Sequence, residues 1–377
     1  MTAQAQPHAS NSWNPASIFF AVATASLVTY ILSVGSSILI PIVVAALFWF
    51  ALDSLARLFQ SLVPVFPTRA VLSHILAWAL LIVIMRLIFS VINGAVAEFQ
   101  AELPDYQANL VALADTTTTA LRDLSNNQFA FLNLEIPDLG ETTRQIVVQL
   151  RESIPDVAGT LLGLTQNSIV LISTVLIYLI FFYSESSSFA KKLAALNRVE
   201  AEQQRWSALI SLIVARLASY IRIKTLTSAL TGGLGYILMA SLNVNFALVF
   251  ALLLFLLNYI PVVGSLISSL LPIIFFLVDP NFFPAGWFIL ATGLLLIQQG
   301  IGSVLEPRLL ANSFNISSIL VMTSLVFWGA IWGIFGMLIS TPFTAALVIL
   351  AANFQGSRSL AILMSADGNI ESLRPRG

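Results

Sequence analysis

Apolar residues run along this chain in long unbroken blocks, separated by segments of mixed polarity. After a polar tail over residues 1–15, the first block breaks at Ser33-Val34-Gly35-Ser36-Ser37. The break predicts helical spans near 16–33 and 37–52, with Pro41 early in the second. A third span is predicted near 71–92. The pattern then changes over 93–166, where Leu103, Tyr106, Leu110 and Leu113, then Leu121 and Leu124, recur at helical spacing among polar residues. Such spacing predicts amphipathic helices outside a bilayer. A fourth span follows at about 167–183 and a fifth at 225–243. The fifth carries Gly232-Gly233-Leu234-Gly235, which permits either close helix packing or a local bend. In the polar stretch between them, 184–224, Trp206, Leu209, Ile210, Ile213, Leu217 and Tyr220 share one helical face. This face suits a helix lying in the headgroup plane, or equally a plain extension of the fifth span.

The last third is patterned differently. Residues 246–278 are apolar but interrupted at Asn258-Tyr259-Ile260-Pro261-Val262-Val263-Gly264. Each flanking piece would cover only about 20 Å as helix, short of the roughly 30 Å hydrocarbon layer. Residues 317–354 repeat the design, broken around Gly329, Gly333 and Gly336, with Pro342 after them. One ordinary span, about 285–304, lies between. Gly264-Ser265-Leu266-Ile267-Ser268-Ser269 is echoed by Gly336-Met337-Leu338-Ile339-Ser340-Thr341, and a proline follows each (Pro272, Pro342). With one span between them, the two segments enter from opposite faces. Paired, interrupted, oppositely inserted segments mark an inverted repeat with a substrate site between its halves. The predicted transport core is 225–355, followed by a tail over 356–377. The alternative is that these prolines and glycines kink two full spans for packing.

Composition sharpens this into an all-α polytopic membrane protein of about six full spans and two broken, re-entrant helical hairpins, with a soluble helical insertion. Of 377 residues 58% are hydrophobic and 9% charged, where a soluble domain carries about a quarter charged. Residues 1–52, 225–278, 280–305 and 309–357 contain no Asp, Glu, Lys or Arg. The N-terminus lacks the positive region of a secretory signal and reads as a short tail before a retained span. The charge that exists is segregated. Residues 93–166 carry ten acidic residues against Arg122, Arg144 and Arg151. Residues 184–224 reverse the sign with Lys191, Lys192, Arg198, Arg205, Arg216, Arg222 and Lys224 against three glutamates. Loops rich in Lys and Arg stay cytoplasmic, so the basic segment and both termini are expected inside and the acidic insertion outside. Arg57 and Arg69 in the 53–70 loop agree.

Polar side chains within the apolar blocks are few, and they face a bundle interior or a wet cavity. Candidates for contact with a solute or ion are Asn258 and Pro261 at the first break, freed backbone near Gly264, Gly333 and Gly336, and Gln298 and Gln299 in the intervening span. Gln298 and Gln299 are 100° apart on a helix, so only one faces any given site. Ser268, Ser269, Ser340 and Thr341 follow the breaks, although such hydroxyls also bond the preceding turn's carbonyl. Glu306 and Arg308, around Pro307, read either as an interfacial ion pair ending a helix or as a titrating site for a transported cation. Asp279 is expected to be solvated at the outer mouth. The absence of Cys and the presence of only His8 and His74 leave no thiol chemistry and no metal cluster. No H-E-x-x-H, G-x-S-x-G or phosphate-binding loop occurs, so neither enzyme nor cofactor is expected. A net charge of −1 argues against nucleic acid as a partner.

The runs Asn258-Tyr259-Ile260-Pro261-Val262-Val263-Gly264, Glu306-Pro307-Arg308-Leu309-Leu310 and Ser324-Leu325-Val326-Phe327-Trp328-Gly329-Ala330-Ile331-Trp332-Gly333-Ile334-Phe335-Gly336-Met337-Leu338 resemble the autoinducer-2 exporter family, also described as PerM-like permeases. That family also carries a soluble insertion between its third and fourth spans, so the resemblance covers most of the chain. It implies a transporter of the bacterial inner membrane with no ATP requirement. Members are associated with export of autoinducer-2, a quorum-sensing signal, and others with sodium–proton antiport. The leading expectation is export of a small polar solute. The alternatives are a cation–proton antiporter using Glu306, and a scaffold acting through its outer insertion. The Gly-rich spans and the amphipathic insertion are compatible with a homo-oligomer.

Overall fold

The computed structural model describes residues 15–62, 69–127, 171–185, 200–310 and 315–374, together with positions 145, 148, 149 and 188. Secondary structure among them is helical, as alternating blocks of leucine, isoleucine, valine and alanine without strand-period patterning require. Helices α1 (Pro15–Val34) and α2 (Ser36–Leu62) are separated at Gly35. Helix α3 (Arg69–Asn127) is 59 residues long, about 90 Å. It passes Pro104 and the sequence boundary near 92 without ending, so that boundary marks a change of surface and not of backbone. Helix α4 covers Leu171–Glu185.

Helix α5 (Glu200–Ser241) is a single rod of 42 residues. Of the two expectations for the 205–220 face, the extension of the fifth span is the one formed, and its apolar side is covered by protein. Leu209 is buried against Val348, Ile349, Ala352 and the tail. The glycines of the 232–235 run serve close packing: Gly232 lies against Ala251 and Phe255, and Gly235 against Leu254.

The first interrupted segment is two short helices, α6 (Ala247–Leu257) and α7 (Val263–Phe276). The chain folds back between them, so that the rings of Phe250 and Phe275 meet at 5.2 Å. Gly264 makes the turn possible, because a Cβ there would lie 1.7 Å from the carbonyl oxygen of Leu257. Helices α8 (Pro284–Gln298) and α9 (Glu306–Leu310) are joined through a π-helical turn over Gln299–Leu305. The run continues through Pro307, so the helix end that the interfacial ion-pair reading places there is not formed.

Helix α10 (Ser318–Asn353) is also folded, at Gly333, whose φ of 60° and ψ of −140° are non-helical. The indole Nε1 of Trp328 donates to Thr344 Oγ1 at 3.1 Å; on a straight helix those residues would be about 24 Å apart. Gly336 repeats the role of Gly264: a Cβ there would lie 1.9 Å from the Trp328 carbonyl oxygen. Two helical hairpins therefore exist, each closed by a glycine against the carbonyl of its own first arm. Helix α11 (Arg358–Met364) and the residues after it pack across the open end of the second hairpin.

The hairpins open toward opposite ends of α5. At the Ser241 end Asn245, whose backbone N–H donates to Asp279 across the mouth of the first hairpin, meets Glu102 and Tyr106 of α3. At the Glu200 end, Arg205 donates to the carbonyl of Asn353, which closes the second hairpin. Arg205 and Ser241 lie about 50 Å apart along the helix. A core of Met239, Leu254, Phe276, Leu290 and Leu294 joins the first hairpin to α5 and α8. A second core of Trp328, Trp332 and Ile339 seats the other hairpin against α1 and α2. Among the described residues, five stretches are long and apolar enough to cross a bilayer: Ser36–Arg57, Leu72–Glu102, Gln204–Ser241, Pro284–Leu310 and the folded Ser318–Asn353. This is a polytopic all-α membrane protein.

Candidate functional site: a polar band on the fifth long helix

Lys224, Thr227, Ser228 and Thr231 recur at the spacing of one helical face and are all buried, none more than 4% exposed. Neighbouring elements bring polar groups to this band. The helix after the π-helical turn delivers Glu306, whose Oε1 accepts from Lys224 Nζ at 2.5 Å and whose Oε2 accepts from Thr227 Oγ1 at 3.3 Å. The turn of the first hairpin delivers Asn258, whose Nδ2 donates to Ser228 Oγ at 3.0 Å. Its neighbour Tyr259 shares a hydrogen bond with Thr225 Oγ1 at 2.7 Å. From the second hairpin, Thr341 faces Tyr220, one turn along α5 from Lys224.

The local sequence explains why these groups can gather here. In a π-helical turn the backbone bonds shift by one residue, which rotates the following helix; such turns are common beside functional sites. Gly300 and Gly302 lie in this one, directly before Glu306. At the first break Val262 takes φ 61° and ψ −58°, a strained position for a β-branched residue. That turn sets Asn258 against α5.

Buried charges require a partner and further hydrogen bonds, and Thr227 supplies one of these to Glu306. The pair expected between Glu306 and Arg308 is therefore not formed; Arg308 is exposed and Lys224 takes its place. Gln298 donates to Ser269 Oγ at 3.1 Å, whereas Gln299 is exposed, as their 100° separation predicts. Ser268 and Ser340 are buried and donate to the carbonyls of Ser265 and Met337, the local bond open to such hydroxyls. Pro261 sits half-buried in the first turn, and Gly333 is exposed at the apex of the second. The structure thus brings Asn258 and Glu306 to the band, sets Thr341 beside Tyr220 one turn away, puts Gln298 and Ser269 on the adjoining α7–α8 contact, and leaves Gln299 and Arg308 outside.

Lys224, Thr225, Thr227, Ser228, Tyr220 and Tyr259 are not among the candidate site residues that the sequence offers; Tyr220 enters there only as a member of an apolar helical face and Tyr259 only as part of the first break. Lys224 reads there as the last member of a basic segment. The available signal was its spacing with Thr227, Ser228 and Thr231 at the edge of a charge-free block.

A second polar cluster lies at the mouth of the first hairpin. Asp279, expected to be solvated, is 1% exposed. It accepts from the backbone N–H of Asn245 at 2.9 Å and of Asn281 at 2.8 Å. The loop looks solvated in sequence because the long α3 that covers it comes from more than 170 positions away. Asn245 in turn donates to Glu102 and to the Tyr106 hydroxyl, both at 2.9 Å. Burial pushes the Asp279 carboxyl above the usual carboxylate range, and these N–H bonds partly offset it. Burial likewise raises the Tyr106 phenol well above its ordinary value. Among the described residues no group of three or more His, Cys, Asp or Glu could hold a metal ion.

A family model described as "AI-2E family transporter" matches residues 18–356. The chain is 30% identical over 300 residues to the AI-2 transport protein TqsA of Escherichia coli, covering 78% of this chain and 81% of that protein. It is 30% identical over 311 residues to a putative transport protein of Haemophilus influenzae, covering 81% and 85% respectively. Over 148 residues it is 34% identical to the putative transport protein YhhT of Escherichia coli, 39% of this chain and 42% of that one.

Proposed function

Because this chain belongs to the AI-2E transporter family and is a membrane transporter, we propose that it exports a small polar solute of the autoinducer-2 kind, without ATP. One observation carries this reading. Two hairpins open to opposite ends of α5, and residues of both approach one face of that helix, Asn258 at Ser228 and Thr341 beside Tyr220, one turn from Lys224. A solute held there could be exposed to one side or the other by movement of one hairpin at a time, as in other transporters with broken helices. In this reading the hairpins are re-entrant, the acidic arm of α3 is extracytoplasmic, and the basic arm of α5 and both termini face the cytoplasm of a bacterial inner membrane. The TqsA relative, named as an AI-2 transport protein, supports the substrate class.

The buried Lys224–Glu306 pair favours a second reading, cation–proton antiport, in which Glu306 exchanges Lys224 for a monovalent cation. Flux into proteoliposomes separates the two. Autoinducer-2 and sodium are each offered under an imposed pH gradient, with the wild type and Glu306→Gln. Uptake of the solute that does not require sodium supports export. Sodium-dependent proton movement abolished by Glu306→Gln supports antiport, and absence of both fluxes overturns each reading.

A further inference from the structure

A cavity of about 400 Å³ lies apart from the polar band, between α2, α3 and α4. Its walls are Trp49, Trp78, Tyr183 and His74, with Asp53 on one side. The rings of His74 and Tyr183 meet edge to face at 5.4 Å. Leu52 and Ala77, both buried, close the floor. Its volume falls within the usual range for small-molecule sites.

Three features constrain an occupant. Aromatic faces around a carboxylate attract an ammonium group, by cation–π attraction and by charge. The negative group is one half of a pair: Asp53 is bonded to Arg57, one helical turn further along α2, and Arg57 is 67% exposed. A ligand with a cation spaced a few ångströms from an anion would match both charges. The third feature is depth. The apolar stretches Ser36–Arg57 and Leu171–Glu185 end here, and Leu72–Glu102 begins here. The cavity therefore sits at the boundary between hydrocarbon and headgroups, where Trp and Tyr concentrate. Beside it Leu72, Ile75, Ile180 and Phe181 are exposed apolar side chains along which acyl chains can lie.

We propose that this cavity binds the headgroup of a zwitterionic phospholipid with a primary ammonium, phosphatidylethanolamine. The ammonium sits among Trp49, Trp78 and Tyr183 against Asp53, and the phosphate lies toward Arg57. Phosphatidylglycerol offers the phosphate without the cation. Phosphatidylcholine offers a cation that cannot donate a hydrogen bond to Asp53. The preference expected is therefore ethanolamine over choline over glycerol.

The full chain is released from nanodiscs holding equal amounts of the three lipids, and bound lipid is counted by native mass spectrometry. Phosphatidylethanolamine should be retained roughly fivefold over phosphatidylglycerol, the ratio one cation–π and charge contact supplies. Asp53→Asn and Trp78→Leu should each erase most of that preference, with helicity unchanged. If Asp53→Asn does not reach the membrane, Arg57→Gln serves instead and should lower retention of phosphatidylethanolamine. Free phosphoethanolamine at millimolar concentration should not displace the lipid. Equal retention of all three lipids, a preference surviving these variants, or full displacement by the free headgroup overturns the proposal.

Discussion

Lys224 and Glu306 lie 82 positions apart in sequence and meet 2.5 Å apart between α5 and α9, with side chains only 5% and 15% exposed. A pair this buried offsets two desolvation costs with one attraction, so its loss is asymmetric. Removing one partner strands a buried charge, and Glu306→Gln or Lys224→Gln should each destabilise the protein by roughly 3 kcal/mol. Replacing both, as Lys224→Met with Glu306→Leu, should bring stability back to within about 1 kcal/mol of the wild type. Thermal unfolding of the four proteins in detergent measures this. In the antiport reading, cation flux is lost in all three variants, including the stable double one. A double variant no more stable than the worse single one would mean the two side chains do not act as a pair.

Three glycines at the hairpin turns, Gly264, Gly333 and Gly336, fail for two different reasons. Gly264→Ala and Gly336→Ala each push a methyl against backbone, the carbonyls of Leu257 and Trp328, which cannot rotate aside. Gly333 has empty space around it, but its φ of 60° with ψ of −140° is closed to alanine. Strain of this kind costs about 1–3 kcal/mol. Gly333→Ala should therefore fold with a lowered midpoint, and Gly264→Ala and Gly336→Ala should yield little monodisperse protein. Size-exclusion recovery followed by a melting curve ranks them.

Where the long apolar runs break was legible from residue pattern alone. Pro261 with Gly264, and Gly333 with Gly336, interrupt apolar runs, and both become hairpin turns. The divergence of Gln298 from Gln299 follows from helical geometry and is found. The partners of charged residues were not legible. Arg308 is two positions from Glu306 and was expected to pair with it, yet Lys224 does so from a different helix. Asp279 stands in an Asp-Pro-Asn loop that reads as solvated and is covered by α3. Both misreadings have one origin: pattern reports which face of an element is apolar, while the choice among distant polar partners is made by tertiary packing.

Gln298 and Gln299 form an internal control for membrane-depth amides. Gln298 donates to Ser269 on α7, so Gln298→Leu leaves the buried hydroxyl without that donor and should cost about 1 kcal/mol. Gln299 is exposed among apolar side chains, and Gln299→Leu should be neutral or slightly stabilising. Equal melting shifts for the two would place the α7–α8 contact elsewhere.

Asp279 gives the mouth of the first hairpin a pH dependence whose sign is set by burial. Its carboxyl is raised above the ordinary value of 3.8, chiefly because burial disfavours the charge, with N–H bonds from Asn281 and Asn245 opposing. A raised acid binds its proton more tightly in the folded protein than in the unfolded chain. The burial cost is thus fully present above the raised value, shrinks as pH falls through it, and is gone below 3.8. Asp279→Asn is uncharged throughout and carries no such dependence. Glu102 and the Tyr106 hydroxyl both accept from Asn245 and are present in both proteins. Asp367, in the tail, is held below the ordinary value by Asn315 and has the opposite sign, losing stability as pH falls; it too is common to both proteins. The melting temperature of the wild type minus that of Asp279→Asn should therefore rise as the pH is lowered from neutral toward 4. A difference that stays flat means the charge is not buried at this mouth. One that falls means the two backbone N–H bonds outweigh the burial, and the loop is then held by an ionised Asp279.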